Sequence, residues 1–545
     1  MRRFVLISLL CGAVLFLAGC SYFDMFLAPT SSTEEESQVA TGGYVQDELP
    51  AITLPAYTAD SFSPYQAQSL VNLNLMPLLY ESLVRITPAY TVEYRLAETV
   101  SVSGLTCRVT LRENAVFSNG EPVTADDLLY SVAQALSVPD SYYGKRLENL
   151  AGVEKDGSDT VVFSLKSPDQ LFAYTLDFPV VQSGSAGEQE ATGGGRYILR
   201  MQNNQYYLEE NPNRLFADTE PLYYDRIGLL TVPDEDAMIS SVAAGTLSAM
   251  YTDLSGGSIS GVGAALKYVP SNNLFYLGIG KPLISEGTTL PEKTPEQTLL
   301  ENADFRQALS LLMDRNLLLS QAFGGHGESV TIPFPPAFTR AQSDGDDPLF
   351  FSSEADLEAA GLLLDQAGLS GRDPETGLRA LPDGTLPTFE ILYPAGNSAK
   401  ALLAAQITAA LKSAGLSAKA TELTFAAYSE RIAAGTYHLY VGEVRLNNRP
   451  GLEAFLGRAV GAEAENTETP VPESLLTGLN QTVTDAYRSF LEGRISFDEF
   501  AAVFLEETPF IPLFFRSHAV VYHRDLKTEM QTSVSDVYYN IGEWS

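Results

Sequence analysis

Cysteine is nearly missing from this chain: three occur among 545 residues, Cys11, Cys20 and Cys107. Two fall within the first twenty positions, so no disulfide framework is available to the body of the protein and its stability must come from packing. Histidine is equally sparse. None of His326, His438, His518 and His523 is spaced i, i+4 to another, the spacing that sets two imidazoles on one helical face, so no metal site is expected. Tryptophan occurs once, at Trp544, and 27 tyrosines and 27 phenylalanines must supply any aromatic wall in mid-chain. Positive charge is scarce as well. Against 68 Asp and Glu there are 34 Lys and Arg, a formal net charge of −34, which argues against nucleic acid or an anionic membrane surface as partner because like charges repel. Gly-x-Ser-x-Gly, His-Glu-x-x-His and Gly-x-x-x-x-Gly-Lys are all absent from the sequence, so no catalytic residue is assigned and no cofactor is expected.

The one long apolar run is at the start, MRRFVLISLLCGAVLFLAGCSYFD. Phe4 to Leu17 is shorter than the ~20 residues a membrane-spanning helix needs, and Arg2 and Arg3 precede it, which is the pattern of an export signal. Its end, Leu17-Ala18-Gly19-Cys20, resembles the bacterial lipoprotein signal. That resemblance implies removal of residues 1–19 and acylation of Cys20, with the protein exported and lipid-anchored at the outer face of the cytoplasmic membrane. Residues 20–50 are rich in Ser, Thr, Glu and Gly and poor in large apolar groups, the composition of a flexible acidic tether.

From about Ala51 the chain has the makings of a large α/β protein. With 45% hydrophobic residues it can bury a substantial core, and at this length it should divide into at least two lobes, since single cores stop growing at ~250–300 residues. Thr124 with Asp127 reads as a helix start, and Leu128, Leu129, Val132 and Leu136 form an apolar stripe behind it. Phe305, Leu309, Leu312 and Met313 repeat that period, as do Leu403, Ile407, Ala410, Leu411 and Ala414, the last set ended by Gly415. Strands are expected at Val161–Leu165, Tyr206–Glu209, Ile227–Val232, Leu274–Gly278, Phe389–Tyr393 and Leu439–Val441. Cys107 alternates with Arg108, Thr110 and Arg112 in a strand-like stretch, as a buried structural thiol would. GSAGEQEATGGG, GRDPETGLRALPDGTLP and AEAENTETPVPES read as surface loops.

Several stretches, in order, resemble the extracellular solute-binding proteins of the dipeptide and oligopeptide class, family 5, the receptors that feed ABC importers. They are YESLV at Tyr80–Val84, an extended segment ending in the Asn119-Gly120 turn and a helix opening Thr-Ala-Asp-Asp, GGGRYIL at Gly193–Leu199 with LEENPN behind it, DFRQALSLLMDRNLLL at Asp304–Leu319, AGLLLDQAGL, and ETPFIPLFF at Glu507–Phe515. The resemblance implies a bilobal, periplasmic-binding-protein-like α/β clamp of class II with a two-strand hinge. Lobe I would be 51–270 plus 510–545, with an extra subdomain at about 90–190, and lobe II 271–509; the chain would leave near Pro270–Phe275 and return near Pro509–Phe515. It also implies a peptide or similar small solute held between the lobes, delivery to ABC permease subunits, and a monomer.

In peptide-binding relatives a second-lobe carboxylate, before a proline in a Trp-containing segment, pairs with the ligand's amino group. The matching stretch here is LYVGEVRLNNRPGLEAF, residues 439–455, where Arg449 precedes the proline and no Trp occurs. Glu443 is the carboxylate available for an ammonium and Arg445 the guanidinium available for a carboxylate, with Asn447 and Asn448 beside them; the alternative, and the weightier one for any single residue, is a solvated surface pair of Glu443 and Arg445. Tyr57 and Tyr65 in PAYTADSFSPYQ match the first-lobe segment that lines the cleft; the alternative of equal weight is a place in the core. Rival readings are a tethered peptide sensor or chaperone with the same fold, and an extracellular hydrolase.

Overall fold

The structure is a computed structural model that describes residues 51–137, 142–254, 263–280, 293–343, 348–351, 353–455, 480–527 and 529–545. The signal segment, Cys20, the tether to residue 50 and the acidic loop 462–474 lie outside the described residues.

The fold is built around a seven-stranded sheet. Its path runs Ala249–Thr252, Ile511–His523, Ala264–Ile279, Leu439–Arg445, Thr388–Pro394 and Ser417–Leu423, with Gly327–Ser329 also paired to Ile511–His523. The two longest strands, Ala264–Ile279 and Ile511–His523, are antiparallel partners, and their register breaks between Val269 and Asn273. Pro270 explains the break, because a residue without an N–H cannot hold a place in a ladder. Beyond the break every residue from Leu274 to Ile279 is buried, whereas the segment before it is only partly covered. Strands buried on both faces read as continuous apolar runs. Here one face meets the helices Ala303–Leu311, Arg315–Phe323 and Ser398–Ser413, and the other a cluster of aromatic rings that includes Phe334, Phe490, Phe500 and Phe510.

Two four-stranded sheets and two two-stranded ribbons supply the other strands among the described residues. One comprises Ala97–Ser103, Thr106–Leu111, Thr160–Leu165 and Leu150–Lys155, an antiparallel sheet covered by the helix Ala125–Ser137. That helix starts where Thr124 donates from N and Oγ1 to Asp127 Oδ2, at 2.9 and 2.7 Å. Cys107 is fully buried in its core. In the other sheet Ile52–Pro55 pairs in parallel with Arg226–Leu230, and Gln205–Glu210 and Tyr197–Gln202 complete it. Trp544, Tyr538 and Ile541 from the chain's end pack into the core beneath.

The expected helices and strands are present with shifted ends: Leu312 and Met313 fall just past the helix Ala303–Leu311, the strand expected at Ile227–Val232 stops at Leu230, and those expected at Leu274–Gly278 and Leu439–Val441 extend to Ala264–Ile279 and Leu439–Arg445. Helix Ser398–Ser413 ends as the sequence suggests, with Gly415 taking the left-handed conformation (φ 84°). Within GRDPETGLRALPDGTLP a two-stranded ribbon, Gly371–Arg372 with Arg379–Ala380, replaces the plain loop expected, because Arg379 is tied to Ala414 O at 3.0 Å and Asp365 Oδ1 at 2.5 Å.

Candidate functional site: a cavity walled by arginines

Around the register break, residues Pro270–Asn272 form one wall of a solvent-open cavity. The rest comes from Tyr80–Ser82 with Val84 and Arg85, from Tyr142, Tyr143 and Arg146, from Arg445, Leu446 and Asn448, and from Thr532–Val537.

Close backbone packing positions the first of these. A side-chain carbon on Gly195 would lie 2.3 Å from the Leu79 carbonyl carbon, and one on Gly193 2.5 Å from Leu79 O, so only glycines let GGGRYIL press against the segment carrying Tyr80 and Glu81. Tyr80 is fixed by donating to Phe62 O at 2.7 Å. Arg196, next after the glycines, reaches Asp536 at 2.6 Å and donates to Tyr539 O at 2.9 Å, which ties the Thr532–Val537 wall to the sheet beside it.

The other walls are also held by ion pairs. Arg95 faces Glu81 at 3.0 Å and Glu220 at 2.5 Å; Arg85 faces Glu93 at 3.0 Å and Glu220 at 3.2 Å. Arg146 lies under the rings of Tyr142 and Tyr143, its guanidinium carbon 5.3 and 5.6 Å from their centroids, and pairs with Asp177 through Nη2 and Oδ1. Only 3% of its side chain is exposed, yet Nε, Nη1 and Nη2 have no hydrogen-bond partner among the described residues. Asn448 donates to the other Asp177 oxygen at 3.0 Å and accepts from Tyr90 at its carbonyl, at 3.1 Å. Asn272 in turn donates to Tyr90 Oη at 2.9 Å and to Asn447 O at 3.0 Å.

At the remaining side, Tyr251 hydrogen-bonds His518 Nδ1. Burial, and then the nearby Arg445 and Arg516, push the His518 imidazole down to about 4, so it is neutral at neutral pH and accepts the tyrosine proton. Burial likewise holds the Tyr251 hydroxyl above its usual range, so it stays protonated.

Of the six residues expected to touch the solute, Arg445 and Asn448 line this cavity. Arg445 is exposed, and Asn448 is buried as the partner of Asp177. Glu443 does not pair with Arg445, although the two lie on one face of the strand; its carboxylate is taken by Lys400 at 3.1 Å and Asn273 at 2.8 Å. Asn447 is exposed and meets Asn272 through its carbonyl. Tyr65 donates to Pro179 O and packs edge-on against Tyr143 at 5.7 Å, as part of the core behind the wall. Tyr57 packs near Val232 and Met238, away from the lining. Arg146, Asp177, Tyr251, His518 and Asp536 carried no sequence signal, since their meeting depends on long-range folding; Arg196 was in plain view within GGGRYIL. Among the described residues no three His, Cys, Asp or Glu are grouped to hold a metal, and no helix is long and apolar enough to cross a membrane.

Residues 75–459 match the family model described as bacterial extracellular solute-binding proteins, family 5. The oligopeptide-binding protein AppA of Bacillus subtilis is 22% identical over 448 residues, 78% of this chain and 77% of that protein. Among solved structures, the unliganded open form of the murein tripeptide-binding protein MppA superposes with a TM-score of 0.66 at 17% identity, covering 90% of this chain and 94% of that one. A nickel ABC transporter protein from Bacillus halodurans gives 0.65 at 16% identity, covering 90% and 98%. Both likenesses establish a shared fold.

Proposed function

The chain belongs to the bacterial extracellular solute-binding proteins, family 5, and from that premise we propose that it is the membrane-anchored substrate-binding component of an ABC importer, capturing peptides between two lobes and delivering them to the permease. The family is one of binding proteins rather than enzymes. The observation that carries the reading is the solvent-connected, charge-lined cavity set against the break in the two longest strands, Ala264–Ile279 and Ile511–His523. Those strands serve as the hinge between lobe I (51–270 plus 510–545) and lobe II (271–509). Arg445 and Asn448, with Arg146 opposite, are the residues we assign to the solute.

The physics of such a clamp is a population shift. A solute touching both lobes makes its full set of interactions only in the closed state, so binding moves the equilibrium by the difference in affinity for the two states. The permease then reads closure, whatever the ligand's side chains. Peptide is the solute of choice because AppA is named for oligopeptides and MppA for a murein tripeptide. Small-angle scattering of the monomer with and without a peptide verified to bind tests the mechanism: the radius of gyration falls on binding, and no compaction contradicts it. The anchor has its own test, in which Cys20→Ser moves the protein from the membrane to the soluble fraction and leaves affinity unchanged.

A further inference from the structure

We infer that the cavity recognises the carboxylate end of its ligand and has no need of a free ammonium group, so that it accepts peptides with a blocked N-terminus. The inference rests on the solute-binding reading and names the ligand class of that same site.

The charges on the walls carry it. Three carboxylates line the cavity and each is already occupied: Glu81 by Arg95 at 3.0 Å, Asp177 by Arg146 and Asn448, Asp536 by Arg196 at 2.6 Å. An incoming ammonium would have to separate one of these pairs and strand an arginine, and breaking a buried pair from one side is strongly unfavourable. Five arginines line the same cavity and four are paired, Arg85, Arg95, Arg146 and Arg196. Arg445 is the exception. It is exposed, and its guanidinium has no carboxylate and no hydrogen-bond partner among the described residues.

A ligand carboxylate therefore meets a free guanidinium, whose planar fork matches two oxygens in parallel. Arg146 adds to this. Asp177 balances its charge, but none of its guanidinium nitrogens has a hydrogen-bond partner among the described residues, in a side chain only 3% exposed. Buried donors without partners are rare and favour whatever group satisfies them. In the same stretch of chain Arg449 gives the ligand no free carboxylate either, since it is engaged with Asp169 at 2.7 Å and Glu453 at 2.5 Å.

The test is calorimetric titration of the full-length protein with pooled tri- to pentapeptides in three forms, unmodified, N-acetylated and C-amidated, and with citrate as a carboxylate that is not a peptide. Acetylation should change the Kd by less than about threefold, while amidation weakens binding about 10- to 100-fold, the range for losing a charge-assisted hydrogen-bonded pair. Arg445→Ala, at an exposed position, should remove the difference between acid and amide. Peptides that lose binding on acetylation but keep it on amidation would overturn the inference and leave the peptide reading intact. Citrate binding with no peptide bound in any form would support the carboxylate subsite and remove the peptide reading. Silence from every carboxylate-bearing probe would overturn the subsite.

Discussion

Arg445 and Arg449 sit in one stretch of chain and are used in opposite ways. Arg449 is drawn into the interior, where Asp169 and Glu453 hold its guanidinium at 2.7 and 2.5 Å and Tyr487 donates to the same Glu453 oxygen at 2.8 Å. Glu453 foremost, with Tyr487 and Asp169, raises the Arg449 pKa well above its usual range although burial works against it. Arg445, at the end of strand Leu439–Arg445, stands in solvent at the cavity mouth with no such partner among the described residues. The contrast teaches that two arginines four residues apart can be used differently by one fold: one joins segments of the interior, the other is left facing the cavity mouth.

The largest effect should follow from breaking the buried member. Asp169 is 2% exposed at its side chain, so Arg449→Met leaves a carboxylate without compensation, and a loss of about 3–5 kcal/mol is expected in chemical denaturation. The double change Arg449→Met with Asp169→Leu should regain most of it, because no buried charge is then stranded. If the single change is silent, Arg449 is no more structural than Arg445 and the contrast disappears.

A second effect comes from His518, beside Arg445. Its folded value of about 4 lies below the ordinary 6.5, so the unfolded chain takes up the proton first as pH falls. Stability from this group is complete above about 6.5 and is lost on acidification towards 4, by on the order of 3 kcal/mol. His518→Gln should flatten the stability profile across that window; an unchanged profile would mean other groups cause the slope. The smallest effect is expected for Arg445→Ala itself. Unfolding free energy should shift by less than about 0.5 kcal/mol, as for an exposed residue without partners, even as ligand affinity falls.

How much of this was legible beforehand follows from which interactions are local. The helix at Thr124 and the stop at Gly415 depend on residues three or four positions apart, and both are where the sequence places them. The two long strands could be marked as a pair because the ordered family stretches run through them. The cavity was harder. Arg146 and Asp177 come from separate segments, and Asp536 reaches Arg196 across most of the chain, so nothing in spacing or periodicity announces either pair. Glu443 was weighed with Arg445 because the two share a strand face, yet Lys400 and Asn273, brought alongside by folding, take the carboxylate. The tyrosines of PAYTADSFSPYQ show the same limit: an aromatic can line a cleft or fill a core, and Tyr65 is held by Tyr143 and Pro179 behind the wall.

The most direct measurement is a crystal structure with the tightest-binding peptide from the titrated pool. Ligand density inside the cavity, with a carboxylate in hydrogen-bond reach of the Arg445 guanidinium and a wall at Asn448, is the expected result. Density for that peptide at any other place on the protein, or a peptide in the cavity whose amino group displaces Arg146 from Asp177, would contradict it.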